Sequence, residues 1–142
     1  MFTIPLLVIT NSIYCQNKMK KEEIDKTGTS YSQSVKISDY SDLLFISGQI
    51  PLDEKDQLPN PNSFEEQCRY AWSNIRKQLQ KSNMDFENLV KVTIFLSDKK
   101  YRKINSQVRQ KVLKGLSPAL TIIITGIYDE NWLLEIEAIA AK

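Results

Sequence analysis

Residues 132–142 read WLLEIEAIAAK, and the fold turns on how these side chains divide between two faces. Successive side chains of a strand point to opposite sides, so Leu134, Ile136 and Ala138 share one face while Leu133, Glu135, Glu137 and Ile139 share the other. The first set suits a core. The second sets two carboxylates among apolar groups, which invites a chemical reading of the acid. Just upstream, LTIIITG at residues 120–126 is apolar at nearly every position, so both faces of that strand require burial. One chain of this size does not cover both faces. We therefore expect the second face to pack against other subunits, with a pocket on the Glu-bearing side at or near the subunit boundary.

Upstream of these strands the pattern alternates. YSQSVKI (residues 31–37) and LLFISGQIP (residues 43–51) read as strands, the second ending at Gly48 and Pro51, and the short SDYSD between them suggests a hairpin. LDEKDQLPNPNS is loop chemistry. Ser63 followed by Glu66 has the form of a capping box, after which Cys68, Ala71, Trp72, Ile75 and Leu79 recur at helical spacing and read as core. LVKVTIFLSD is a β-branched strand with Val90, Val92 and Ile94 assigned to one face. A second helix is expected from near Asp98, with Tyr101, Ile104, Val108 and Val112 as its inward stripe and a stop at Gly115. The order β-β-α-β-α-β-β predicts an α+β domain: one mixed sheet with two helices on one face.

Residues 1–18 differ in character and are set apart from a domain at residues 19–142. Three readings fit them: an upstream extension with Met19 as the natural start, an export signal, or a structured arm. The apolar part, Phe2 to Ile9, is too short to span a bilayer, which takes about 20 residues. A cytoplasmic location is expected, or export if this segment acts as a signal.

Composition excludes more than it includes. The chain has no histidine, which removes Ser-His-Asp, Cys-His and H-E-x-x-H chemistry. Four scattered glycines make no phosphate-cradling loop. Cys15 and Cys68 have no metal or disulfide spacing. A net charge of +2, with acids and bases interspersed, offers no field for a phosphate backbone, so no nucleic-acid partner is expected.

The segments YSQSVK, LLFISGQIPLD, LVKVTIFLSD, SPAL and EIEAIA, in this order and spacing, resemble the RidA (YjgF-type) family of reactive intermediate deaminases, and the likeness runs from Met19 to Lys142. The resemblance implies a chorismate-mutase-like fold, a homotrimer with small-molecule sites at the subunit interfaces, and hydrolysis of enamines and imines without any cofactor or metal. It implies Glu135 as the catalytic acid, relaying a proton between water and imine. Tyr31, Ser47, Gly48, Asn105, Leu120 and Ile122 then fall at ligand-binding positions.

One departure matters. Deaminating members carry Pro-x-Arg where this chain has Pro118, Ala119 and Leu120. Each charge-assisted bond of the missing fork is worth about 1.5–3 kcal/mol, so 2-imino acid binding is expected to weaken by on the order of a hundredfold. Arg109, Lys111 and Lys114 are the cations from which a substitute grip is conceivable. Two functions follow: an imine or enamine hydrolase weakened toward 2-imino acids, or a non-catalytic metabolite-binding trimer. A third reading is an RNA-active or chaperone-like role, and the charge pattern argues against RNA.

Overall fold

Ser63 starts the first helix: its hydroxyl accepts from the Glu66 N–H at 3.3 Å, and α1 runs Phe64–Lys81. The reciprocal half of the expected capping box is absent, because the Ser63 N–H donates to the Asn60 carbonyl instead. The inward stripe is as read, with Cys68, Ala71, Trp72, Ile75 and Leu79 all buried. Buried Gln67 adds a tie: it donates to the carbonyls of Asn60, Pro61 and Asn131 and accepts from the Leu133 N–H at 2.8 Å. That last bond fixes where the C-terminal strand begins.

The computed structural model describes residues 18–142; the leader read at residues 1–18 lies, but for Lys18, outside them. Six strands form one mixed sheet: β1 Lys20–Lys26, β2 Ser32–Ser38, β3 Leu43–Gln49, β4 Leu89–Leu96, β5 Ala119–Ile124 and β6 Leu134–Ala141, in the spatial order β1-β2-β5-β4-β6-β3. α2 is Arg102–Leu113. β4 and β5 are parallel neighbours joined through α2, whereas β6 lies antiparallel to both β4 and β3. Leu134, Ile136, Ala138 and Ala140 of β6 join Val92, Ile94 and Leu96 of β4 beneath α1. Among the described residues, no helix is long and apolar enough to cross a membrane.

The expected hairpin between β2 and β3 does not form. β2 pairs with β1, from Lys20↔Ser38 to Lys26↔Ser32, and β3 pairs with β6 at the opposite edge of the sheet. β1, KKEEIDK, was invisible to periodicity because it needs no fully buried face. It is a charged edge strand, laced by Lys20–Asp39 at 2.7 Å and Lys26–Glu23 at 2.6 Å, and such edges resist pairing with foreign strands. The intervening linker crosses to the far edge, where the Ser41 and Asp42 N–H groups donate to the Lys142 carbonyl.

Two facings also differ from expectation. Leu89 pairs with Ala140 and Lys91 with Ile139, so Val90 is an extra residue in a bulge and Leu89 takes its core position. α2 begins after a 3-10 turn at Lys99–Tyr101; Val108 is buried and Tyr101 and Val112 pack partly buried on the core as expected, but Ile104 is exposed, and Asn105, Arg109 and Leu113 fill the inward face beside them. Lys114 takes the left-handed cap and Gly115 follows at φ 90°, a conformation glycine adopts without penalty.

Much of the sheet stays uncovered by this chain. Leu43 and Phe45 of β3 and Ile122, Ile123 and Ile124 of β5 are exposed, in keeping with a strand that wants burial on both sides.

Candidate functional site

β3 does not turn at Ser47 and Gly48. The register slips there, Ile46 pairing with Ala138 and Gln49 with Ile136, so the two residues form a bulge inside the strand. The bulge brings the Gly48 backbone under Glu135, where a Cβ would lie 2.9 Å from Glu135 Cγ and nearer still to its carboxylate. Gly48 does not have positive φ, so glycine is required here for space and not for backbone freedom. Glu135 pairs across with Phe95, is partly buried, and takes part in no ion pair among the described residues.

Alongside lies a shallow cavity of about 270 Å³ on the open face of the sheet, lined by Phe45, Ser47, Lys91, Thr93, Glu137 and Ile139. Lys91 hydrogen-bonds Thr121, and burial lowers its ammonium pKa against the opposing pull of Glu137.

Tyr31, Leu120 and Ile122 gather elsewhere. With Gln33, Arg102, Lys103, Ser106 and Arg109 they line a cleft of about 670 Å³ between α2 and the end of the sheet. Leu120 and Ile122 pair with Val92 and Ile94, which places them on the helix-bearing face, whereas Glu135 is on the other. A single chain thus holds the predicted residues in two groups separated by its own sheet.

Asn105 joins neither group. It is fully buried between the helices, accepting from Cys68 Sγ at 3.8 Å, and the cleft-facing positions of α2 are Arg102, Lys103, Ser106 and Arg109. Arg109 is only 3% exposed. Its Nη2 donates to the Thr29 carbonyl at 2.9 Å and to Ser106 Oγ at 3.5 Å, while Nε and Nη1 have no hydrogen-bond partner. Burial lowers its pKa, opposed by Tyr31 and Cys68. Arg109, one of the three cations open to a substitute grip, lines this cleft because the inward face of α2 includes its position. Gln33, Arg102, Lys103 and Ser106 gave no signal as isolated polar residues. Lys114 faces a different groove, beside Arg76 and Asp85.

A mixed six-stranded sheet with two helices on one face, and a carboxylate laid over a glycine bulge at its rim, defines a chorismate-mutase-like α+β protein of the RidA type. The chain belongs to the RidA (YjgF-type) family: the family described as Endoribonuclease L-PSP matches residues 20–142. It is 33% identical over 114 residues to the mitochondrial protein MMF1 of Saccharomyces cerevisiae, covering 80% of this chain and 75% of that one. It is 29% identical over 112 residues to the 2-iminobutanoate/2-iminopropanoate deaminase of Mus musculus, covering 79% and 81%. The crystal structure of the Rid-family protein YyfB from Yersinia pestis superposes with a TM-score of 0.76 at 17% identity, over 86% of this chain and 98% of that one, a likeness of fold.

Proposed function

We propose that the chain is a cofactor-independent hydrolase of enamines and imines, working as a homotrimer with Glu135 as its proton relay. The observation that carries this is Glu135 itself: a carboxylate free of any cationic partner among the described residues, seated against a bulge that only glycine leaves open. An enamine first tautomerises to its imine. Water adds to the C=N carbon as Glu135 accepts its proton and passes it to nitrogen, giving a carbinolamine; Glu135 then moves the carbinolamine hydroxyl proton to the same nitrogen, so the C–N bond breaks to leave a carbonyl compound and ammonia. No electrons are exchanged, so the chemistry asks for no redox group.

The assembly is part of the reading. Ser47, Gly48 and Glu135 lie across the sheet from Tyr31, Leu120 and Ile122, so one ligand meets both groups only if a neighbouring copy supplies one of them. The exposed Phe45 and Ile123 give that neighbour an apolar surface to cover. The partner chemistry is therefore a small molecule between copies of this chain; with a net charge of +2, we assign no nucleic-acid partner.

The test is ammonia release from 2-iminopropanoate and from uncharged imines generated in situ, measured alongside sedimentation of the same preparation. A trimer that releases no ammonia from either overturns the hydrolase. Leu120 favours a second reading, a metabolite-binding trimer without turnover, because it leaves the cleft without the family's strand-borne guanidinium. Metabolites that raise the melting temperature while remaining intact support that reading.

A further inference from the structure

We infer that the anion grip of this protein has moved from β5 to α2: the cleft between them takes an organic monocarboxylate with an apolar tail, its carboxylate beside Arg109 and its hydrocarbon on Leu120 and Ile122. The inference rests on reading this cleft as a ligand site, but it concerns binding and stands apart from turnover.

Three observations carry it. The cleft is lined by three cations, Arg102, Lys103 and Arg109, and by no acid. None of the three forms an ion pair among the described residues, although eight ion pairs occur elsewhere among them. Arg109 is the decisive one. A buried guanidinium is ordinarily matched by a carboxylate, because an isolated charge away from water is costly. Here two acceptors engage Nη2, while Nε and Nη1 have none.

α2 adds to the imbalance. Its first turn carries Arg102 and Lys103 and no acid, and its N-cap residue Tyr101 makes no side-chain cap bond. Cations at that end oppose the helix dipole, so an anion there relieves both the dipole and the clustered charge. The apolar floor then selects among anions. Leu120 and Ile122, the latter 39% exposed, offer nothing to a bare inorganic ion but fit a branched hydrocarbon. The same Leu120 that removes one grip thus becomes a wall for the tail.

The experiment titrates the full chain, in low-chloride buffer, with 4-methyl-2-oxopentanoate, pyruvate, inorganic phosphate and the neutral ketone 4-methylpentan-2-one. Calorimetry gives the affinities, and the Arg109 Nε–H signal in ¹⁵N–¹H spectra reports the site. The branched keto acid is expected to shift that signal and to bind at least about tenfold tighter than each of the other three, with Arg109→Met abolishing the preference. Equal affinity for the neutral ketone or for phosphate overturns the inference, as does an Arg109 signal that the keto acid leaves unmoved. The wild-type spectrum decides even where the methionine variant fails to fold. Should Glu135→Gln shift the Arg109 signal without ligand while the keto acid does not, a neighbouring copy's carboxylate is the partner and the inference falls. Ammonia release enters none of these readings, so the hydrolase proposal stands or falls separately.

Discussion

Gly48 and Glu135 exclude each other's growth: a single methyl on Gly48 would stand 2.9 Å from Glu135 Cγ and closer to its carboxylate. The bulge in β3 and the acid of β6 are thus one device, and it is tested by Gly48→Ala. The clashing atoms end a flexible side chain, so the fold yields cheaply, by less than about 1 kcal/mol, while the carboxylate is pushed aside. Imine hydrolysis is expected to fall at least about tenfold, since a displacement of an ångström at a reacting group suffices for that. Urea denaturation and ammonia release, measured on the same variant, check both halves.

Glu135→Gln keeps the shape and removes the carboxylate that accepts the proton in the proposed hydrolysis. Hydrolysis is expected to fall by about a hundredfold or more, with sedimentation unchanged. A variant that retains full turnover shows that the proton travels another way.

Leu120→Arg places a guanidinium on β5, in the cleft beside Tyr31. It is expected to raise kcat/KM toward 2-iminopropanoate by about tenfold to a hundredfold through charge-assisted bonds to the carboxylate. Steady-state kinetics with in situ generated imine decides; no gain in a folded variant means that the strand position no longer addresses the ligand.

Acid should destabilise the fold partly through Asp85. Arg76 grips its carboxylate with Nε at 3.1 Å and Nη2 at 2.8 Å, and that hydrogen bonding holds its pKa below the ordinary aspartate value. A depressed folded-state pKa contributes stability above the unfolded value, about 3.9, and this is lost as pH falls through the folded one. Asp85→Asn is therefore expected to lower the denaturation midpoint at pH 7 and to lie nearer wild type at pH 3. A gap of equal size at both values rules out the linkage.

Cys68 should be chemically silent. Burial pushes its thiol up to about 12, despite the opposing pull of Arg109 and Arg69. In a Cys15→Ser background, thiol reagents at pH 8 are expected to label nothing in the native protein and one site in urea. Labelling of the native protein would mean that α1 opens at Cys68.

What was legible in the sequence was local or alternating. The α1 stripe and the two faces of β6 came from side-chain period alone, because burial imposes that period on the residues, and the exposed β5 from an unbroken apolar run. The likeness to a known family supplied Glu135, Gly48, Tyr31 and Leu120 as positions of interest. β1 escaped because an edge strand needs no apolar face, and the hairpin was wrongly drawn because the missing strand was β2's true partner. In α2, Tyr101, Val108 and Val112 face the core as read, whereas Ile104 does not and polar Asn105 and Arg109 do, which hydrophobic spacing does not reveal.

The sequence by itself determined which faces must be buried, which chemistries lack their residues, and that an acid sits in an apolar strand. Only the tertiary structure decided what meets what. Strand register placed Glu135 and Leu120 on opposite faces, a bulge set Gly48 beneath the acid, and helix phase turned Arg109 inward while leaving Ile104 in solvent. The reason is physical: periodicity fixes the direction of a side chain within its own element, whereas its neighbours depend on registers and crossings between elements far apart in the chain.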